Sequence, residues 1–302
     1  MFGKAEISVG ISRRLRLAII LSSGSILLAA CGGTSTSGTS NQSANTGKVN
    51  MSYAGSLVGA MTNDILPQFK KKTGIDVVGY PGGSVALANQ IKEKLRQADL
   101  FLSAVPSVNS MLEGKANGNI LSWYSDLASS PLVIGYNPKS KLGSELTASN
   151  WYKVMQTPGF RLGRTDPKLD PKGVLTETLV REEAKKVGDS SLFTKILGSA
   201  ENSSQIFPEE TLVGRLESGQ LDAGFFYENE AKLAKIPFIK TGINLGANFT
   251  ISILNNAKNR SGAVAFVNYL YSPQGQKELK SVGLIPDKAK VHGSGVPRGV
   301  KL

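Results

Sequence analysis

The chain has 302 residues, with 35 Lys and Arg against 23 Asp and Glu, for a formal net charge of +12 at neutral pH. A single cysteine, Cys31, and a single histidine, His292, exclude an internal disulfide and zinc sites of the usual Cys/His type. Lys4, Arg13, Arg14 and Arg16 against Glu6 give residues 1–30 a charge of +3, so a chain without them keeps +12 − 3, about +9; spread this thinly, the excess suits anionic ligands and anionic membrane surfaces rather than nucleic acid.

The N-terminus reads as an export signal. Arg13, Arg14 and Arg16 form a positive region, and Leu17 to Ala30 is an apolar run too short to span a bilayer comfortably. Ser12-Arg13-Arg14 is faintly similar to a twin-arginine signal. Leu28-Ala29-Ala30-Cys31 resembles the lipobox of bacterial lipoproteins, which implies that Cys31 is acylated and becomes the mature N-terminus. An uncleaved anchor with an incidental cysteine is the alternative. Residues 31–48 are mostly Gly, Ser, Thr, Asn and Gln, and are expected to act as a flexible tether. No later segment approaches 18 uninterrupted apolar residues, so the body is expected to be soluble.

Val49 to Tyr53 predicts a strand and Leu57 to Thr73 a helix, with Leu57, Met61, Ile65, Leu66 and Phe69 near helical spacing. Gly74 ends it, Ile75 to Tyr80 is the next strand, and Pro81-Gly82-Gly83-Ser84 is a turn before a helix over Val85 to Leu95. Ala98 to Ala104 is a third strand. This alternation predicts a parallel sheet flanked by helices. A second unit follows from Pro131, with strands at Leu132–Tyr136, Arg161–Gly163 and Ala223–Tyr227 and helices at Trp151–Met155, Lys172–Val187 and Thr211–Glu217. A strand at Phe249–Leu254 and helices at Gly262–Tyr271 and Pro273–Val282 complete the chain. The roughly 250 residues after the tether suffice for two lobes. The expected fold is α/β and two-lobed, each lobe a mixed, mostly parallel sheet flanked by helices. Residues 49–129 and 243–302 are expected to form one lobe and 130–242 the other.

Ser56 and Ser84 each follow a glycine at the end of an expected strand and open a helix. Such a serine offers its hydroxyl beside amides that point outward with the helix dipole, and two of them would form a neutral, donor-rich cup for an oxyanion. Ordinary helix caps are the plain alternative. A Ser-His-Asp hydrolase fits less well, because Gly55-Ser56-Leu57 lacks the flanks of a nucleophile elbow and His292 sits in a polar tail.

Six segments in order carry a resemblance: 49–57, 83–91, 98–104, 166–173, 221–227 and 269–275. They resemble consecutive motifs of molybdate/tungstate-binding proteins, the periplasmic-binding-protein-like receptors of ABC importers. The resemblance implies a non-enzymatic, monomeric receptor without a cofactor, with a permease and an ATPase as partners, that closes on molybdate or tungstate. It also implies that Ser56 and Ser84, the amide of Lys172, an amide at about Leu212 and the phenol of Tyr227 hold the ligand. An archaeal-type branch adds two carboxylates that coordinate the metal centre. Asp170 occupies the place of one and Phe226 that of the other, which favours the four-coordinate mode and leaves Asp170 free to cap the helix after Pro171. A cap there competes with the ligand for the Lys172 amide, and the Lys172 ammonium is expected to be solvated. Sulfate and phosphate are the nearest competing ligands; a secreted serine hydrolase and an adhesive surface lipoprotein are the competing functions.

Overall fold

The computed structural model describes residues 47–302; the expected export signal, Cys31 and nearly all of the expected tether lie outside the described residues. Ten strands occur among the described residues: β1 (Val49–Ala54), β2 (Val77–Gly82), β3 (Leu100–Ser103), β4 (Trp123–Tyr136), β5 (Leu162–Gly163), β6 (Ala223–Tyr227), β7 (Phe238–Ile239), β8 (Gly246–Ile253), β9 (Ile285–Pro286) and β10 (Val291–Gly293). They are ordered β2-β1-β3-β8-β4-β6-β5, with β7, β9 and β10 added along β4. The fold is α/β and two-lobed, with β4 passing through both sheets.

The first unit follows its sequence pattern closely. Nearly every residue of β1 is buried, as expected for a strand covered on both faces. Leu57, Met61, Ile65 and Phe69 are fully buried along the helical run 55–73, which includes one π-helical turn at Met61–Ile65. Gly74, at φ 72°, ends that run because a left-handed cap suits a residue without a Cβ. Phe69 packs edge-on against Phe266 at 5.0 Å, which fastens the first helix to the C-terminal helix Arg260–Tyr271. The Asp99 carboxylate accepts hydrogen bonds from the amides of Asn50, Lys258 and Asn259, and so joins the same two parts of the chain.

The sheets are mixed, but parallel pairing is not the majority expected. β1–β2, β1–β3 and β5–β6 are parallel, whereas β4 runs antiparallel to β6, β7, β8, β9 and β10, and β3 runs antiparallel to β8. The cause is β4. Its apolar second half, Leu132–Tyr136, was expected as a strand, but its first half alternates buried and half-buried positions among Ser and Asp residues and carries no apolar run. β4 pairs with β8 as far as Pro131, opposite Gly246, and with β6 from Leu132, opposite Tyr227. Among the described residues no helix is long and apolar enough to cross a membrane.

Candidate functional site

The two Gly-Ser turns stand at the carboxyl ends of β1 and β2, where ligands of open α/β sheets bind. Both glycines are sites of close approach. A Cβ on Gly55 would lie 2.5 Å from Cγ of Glu209, and one on Gly83 would lie 2.5 Å from the Leu169 carbonyl oxygen. The Ala86 amide donates to that same carbonyl at 3.1 Å, and the Asn229 side-chain amide donates to the Ser56 carbonyl at 3.1 Å. The turns are thus in direct contact with the facing segment of the chain.

Ser84 is fully buried, and its Oγ accepts from the Ala104 amide at 3.0 Å, which leaves the hydroxyl proton to donate. Its own amide donates to the Asp170 carboxylate. Asp170 is the N-cap of the helix Pro171–Val187; it also accepts from the Lys172 amide at 2.8 Å and from Thr165 Oγ1 at 3.1 Å. The Lys172 amide is thus engaged by the Asp170 cap, and Pro171 beside it has no amide hydrogen to satisfy.

Lys172 departs most from expectation. Its side chain is wholly buried rather than solvated, with Nζ 2.6 Å from Glu209 and 2.8 Å from Glu230. The ammonium also lies 5.1 Å from the Tyr227 ring centre and 5.6 Å from that of Phe226, within cation–π range. Desolvation opposes its charge, but Glu209, Glu230 and Asp170 outweigh that penalty and hold its pKa above the ordinary lysine value. Burial pushes the carboxyls of Asp170, Glu209 and Glu230 up, Glu209 well up, and the one lysine offsets this only in part. The two Gly-Ser turns are uncharged, but they face a charged cluster that was not expected. Three buried carboxylates share one buried cation.

Tyr227 ends β6 with its ring fully buried, edge-on to Phe249 at 5.9 Å. Its phenol is buried without a hydrogen-bond partner among the described residues, and burial followed by the nearby carboxylates pushes its pKa well up. Its amide donates to Glu230 at 2.8 Å, as in a capping box that opens the helix Glu228–Leu233. Leu212 is not placed to offer an amide to a ligand. The helical segment starts three residues earlier with the 3-10 turn Glu209–Thr211, and the Leu212 amide donates to the Glu209 carbonyl. The Leu212 side chain lies in an apolar cluster with Val133, Leu216 and Phe226.

Glu209 and Glu210 lie between two cavities. One, of about 280 Å³, is lined by Tyr80, Leu87 and Leu169 together with Asp170; the other, of about 310 Å³, by Ser56, Asn63, Glu217 and Glu230. The structure brings together Ser56, Ser84, Asp170, Lys172 and Tyr227, and adds Glu209, Glu230 and Asn229, which sequence reasoning missed. Glu230 was discoverable, three residues after Tyr227 at the position where a capping-box glutamate belongs. His292 lies elsewhere, stacked on Tyr124 and 3.1 Å from Asp126, so its pairing offers no base to Ser56.

Residues 49–285 match the family described as bacterial extracellular solute-binding proteins. A putative ABC transporter molybdenum-binding protein of Haloferax volcanii is 28% identical over 221 residues, covering 72% of this chain and 68% of the relative. Among solved structures, the sulfate-binding protein SubI of Mycobacterium tuberculosis superposes with a TM-score of 0.60 at 14% identity, covering 79% of this chain and 86% of the other. The periplasmic molybdate-binding protein of Azotobacter vinelandii gives 0.56 at 19% identity, covering 80% of this chain and 100% of the other.

Proposed function

Because the chain belongs to the family of bacterial extracellular solute-binding proteins, we propose that it is the receptor of an ABC importer and that it captures a tetrahedral oxyanion, molybdate or tungstate first among them. The observation that carries this reading is the pair of Gly-Ser turns packed against Glu209 and Asp170, with the nearby Tyr227 hydroxyl buried and without a hydrogen-bond partner among the described residues. Ser56, Ser84 and Tyr227 supply donors, and an incoming anion competes with Glu209 and Glu230 for the Lys172 ammonium. A dianion held by hydroxyls, dipoles and one ammonium in a dry cleft gains about 1.5–3 kcal/mol from each charge-assisted hydrogen bond. Asp170 serves in this reading as the cap that fixes the Lys172 turn. The protein binds its solute and carries out no chemistry on it.

The reading extends to the chain's anchorage and motion. Cys31 carries the lipid that holds the receptor at the outer face of the cell membrane, and mass spectrometry of membrane-retained protein checks it by finding acylated Cys31. Residues 49–129 and 243–302 move as one lobe against 130–242, so scattering profiles become more compact when a saturating anion is added.

The deciding experiment is isothermal calorimetry with molybdate, tungstate, sulfate and hydrogen phosphate. Stoichiometric binding of molybdate or tungstate, tighter than sulfate, supports the reading; no binding of any of the four overturns it. Hydrogen phosphate forms a second reading, favoured by one observation. A buried carboxylate, Glu209, stands beside the Gly55-Ser56 turn and accepts a proton that molybdate and sulfate do not carry.

A further inference from the structure

We infer that Glu209 is a specificity-determining proton acceptor, so that a proton-free dianion enters this site together with one proton, which settles on the Glu209 carboxylate. The inference rests on the oxyanion reading above and concerns what accompanies the anion.

Several charged and titratable groups face Glu209. Lys172 reaches it from the helix Pro171–Val187, Glu230 from the helix Glu228–Leu233, Asp170 from the turn before Lys172, and the Tyr227 phenol from the end of β6. Glu210 and Glu217 line the same cavity, and the Gly55-Ser56 turn on the opposite side is uncharged. Lys172 is the one cation in this group. It compensates one of its carboxylate partners, and a dianion that takes a share of that ammonium leaves more negative charge than the cleft can hold dry. Removing one negative charge resolves the excess.

The hydrogen bonds select the carboxylate that gives way. Asp170 accepts from three donors, the amides of Ser84 and Lys172 and the hydroxyl of Thr165, which oppose the upward push of burial. Glu230 accepts from Lys172 and from the Tyr227 amide. Among the described residues Glu209 has Lys172 alone, with no backbone donor, and its side chain lies against Gly55 beside Ser56. It is therefore the carboxylate whose charge is least supported and the one nearest the turn that meets the anion. In the step itself, a proton leaves a water-borne acid, a new O–H bond forms on the Glu209 carboxylate, and no other bond changes. The acid that results donates to an anion oxygen, so a repelling acceptor becomes a donor. A ligand that brings its own proton, such as hydrogen phosphate, needs none from solvent.

The test uses the full chain in detergent and counts protons. Molybdate is titrated by calorimetry in several buffers of different ionisation enthalpy, and the dependence of the apparent heat on that enthalpy gives the protons taken up per anion. At pH above the raised value of Glu209 in the ligand-free protein, the wild type is expected to take up one, with affinity falling about tenfold per pH unit there. Glu209→Gln, which presents a neutral donor in place of the acid, is expected to take up none and to bind with an affinity that does not change with pH. Should molybdate not bind, the count is made with whichever of tungstate or sulfate does. Anion binding by the wild type with zero uptake on that alkaline side, and with affinity that does not change with pH, overturns the inference alone, as does full uptake by Glu209→Gln; should that variant fail to fold, the wild-type count decides. Failure of every anion to bind across mildly acidic to mildly alkaline pH overturns the oxyanion reading and this inference with it.

Discussion

Gly55-Ser56 and Gly83-Ser84 meet the site with hydroxyls, amides and no formal charge, whereas the facing segments bring Asp170, Lys172, Glu209 and Glu230 into the same buried volume. The first side is built by strand ends and helix starts, which the local sequence dictates. The second is built by three segments far apart in sequence, each contributing a charge that is tolerable only because the others are present. The difference teaches that hydroxyls and amides at strand ends come with the local sequence, while the charged side depends on contacts between distant segments.

The largest expected effect breaks the charged side. Lys172→Met leaves three buried carboxylates without their cation and is expected to cost about 3–5 kcal/mol in chemical denaturation. Combining it with Glu209→Gln and Glu230→Gln should recover most of that loss, since neutral groups need no counter-charge. The pH dependence of the ligand-free protein has a defined sign. The folded-state pKa values of Asp170, Glu209 and Glu230 are raised, first by burial, so their contribution to stability is fully present below the ordinary carboxylate range and is lost as pH rises through the folded values. Denaturation midpoints should therefore shift less on acidification from neutral pH in Glu209→Gln than in the wild type.

On the uncharged side, Ser56→Ala and Ser84→Ala should each weaken anion binding by about ten- to hundredfold, the equivalent of roughly 1.5–3 kcal/mol. They separate in stability, because Ser84 also accepts the Ala104 amide; its loss should cost about 1 kcal/mol more. Gly83→Ala sets a Cβ against a backbone carbonyl that cannot swing aside, and about 1–3 kcal/mol of stability or closure should be lost, read from melting with and without ligand. The smallest effect sharpens the comparison. Tyr227→Phe removes a buried hydroxyl that has no partner among the described residues, so the ligand-free protein should be no less stable, and up to about 1 kcal/mol more so, while anion affinity falls.

Most of the α/β framework was legible because it is local. The apolar spacing of Leu57, Met61, Ile65 and Phe69 and the stop at Gly74 specify a helix without reference to the remainder of the chain. Ser56 and Ser84 were legible for the same reason. Lys172 was not, since a lysine after Asp-Pro reads as solvated unless its distant partners Glu209 and Glu230 are known to converge on it. Leu212 was misplaced by a shorter error: the helix opens with a 3-10 turn at Glu209, so the amide expected to be free is used inside the segment. The first half of β4 was missed because polar residues with period two show a strand only when pairing partners such as β8 and β10 are in view.

β4 changes partners at a residue that has no amide hydrogen. Pro131 is the last position in register with β8, and Leu132 the first in register with β6. One covalent strand therefore belongs to two ladders, and the seam between them falls where the backbone has no donor of its own to give up. Just beyond the seam the Leu132 amide is held by the Leu245 carbonyl at 2.7 Å. The strand is thus gripped by a different ladder on each side of Pro131, and Tyr227 sits opposite its first residue on the far side.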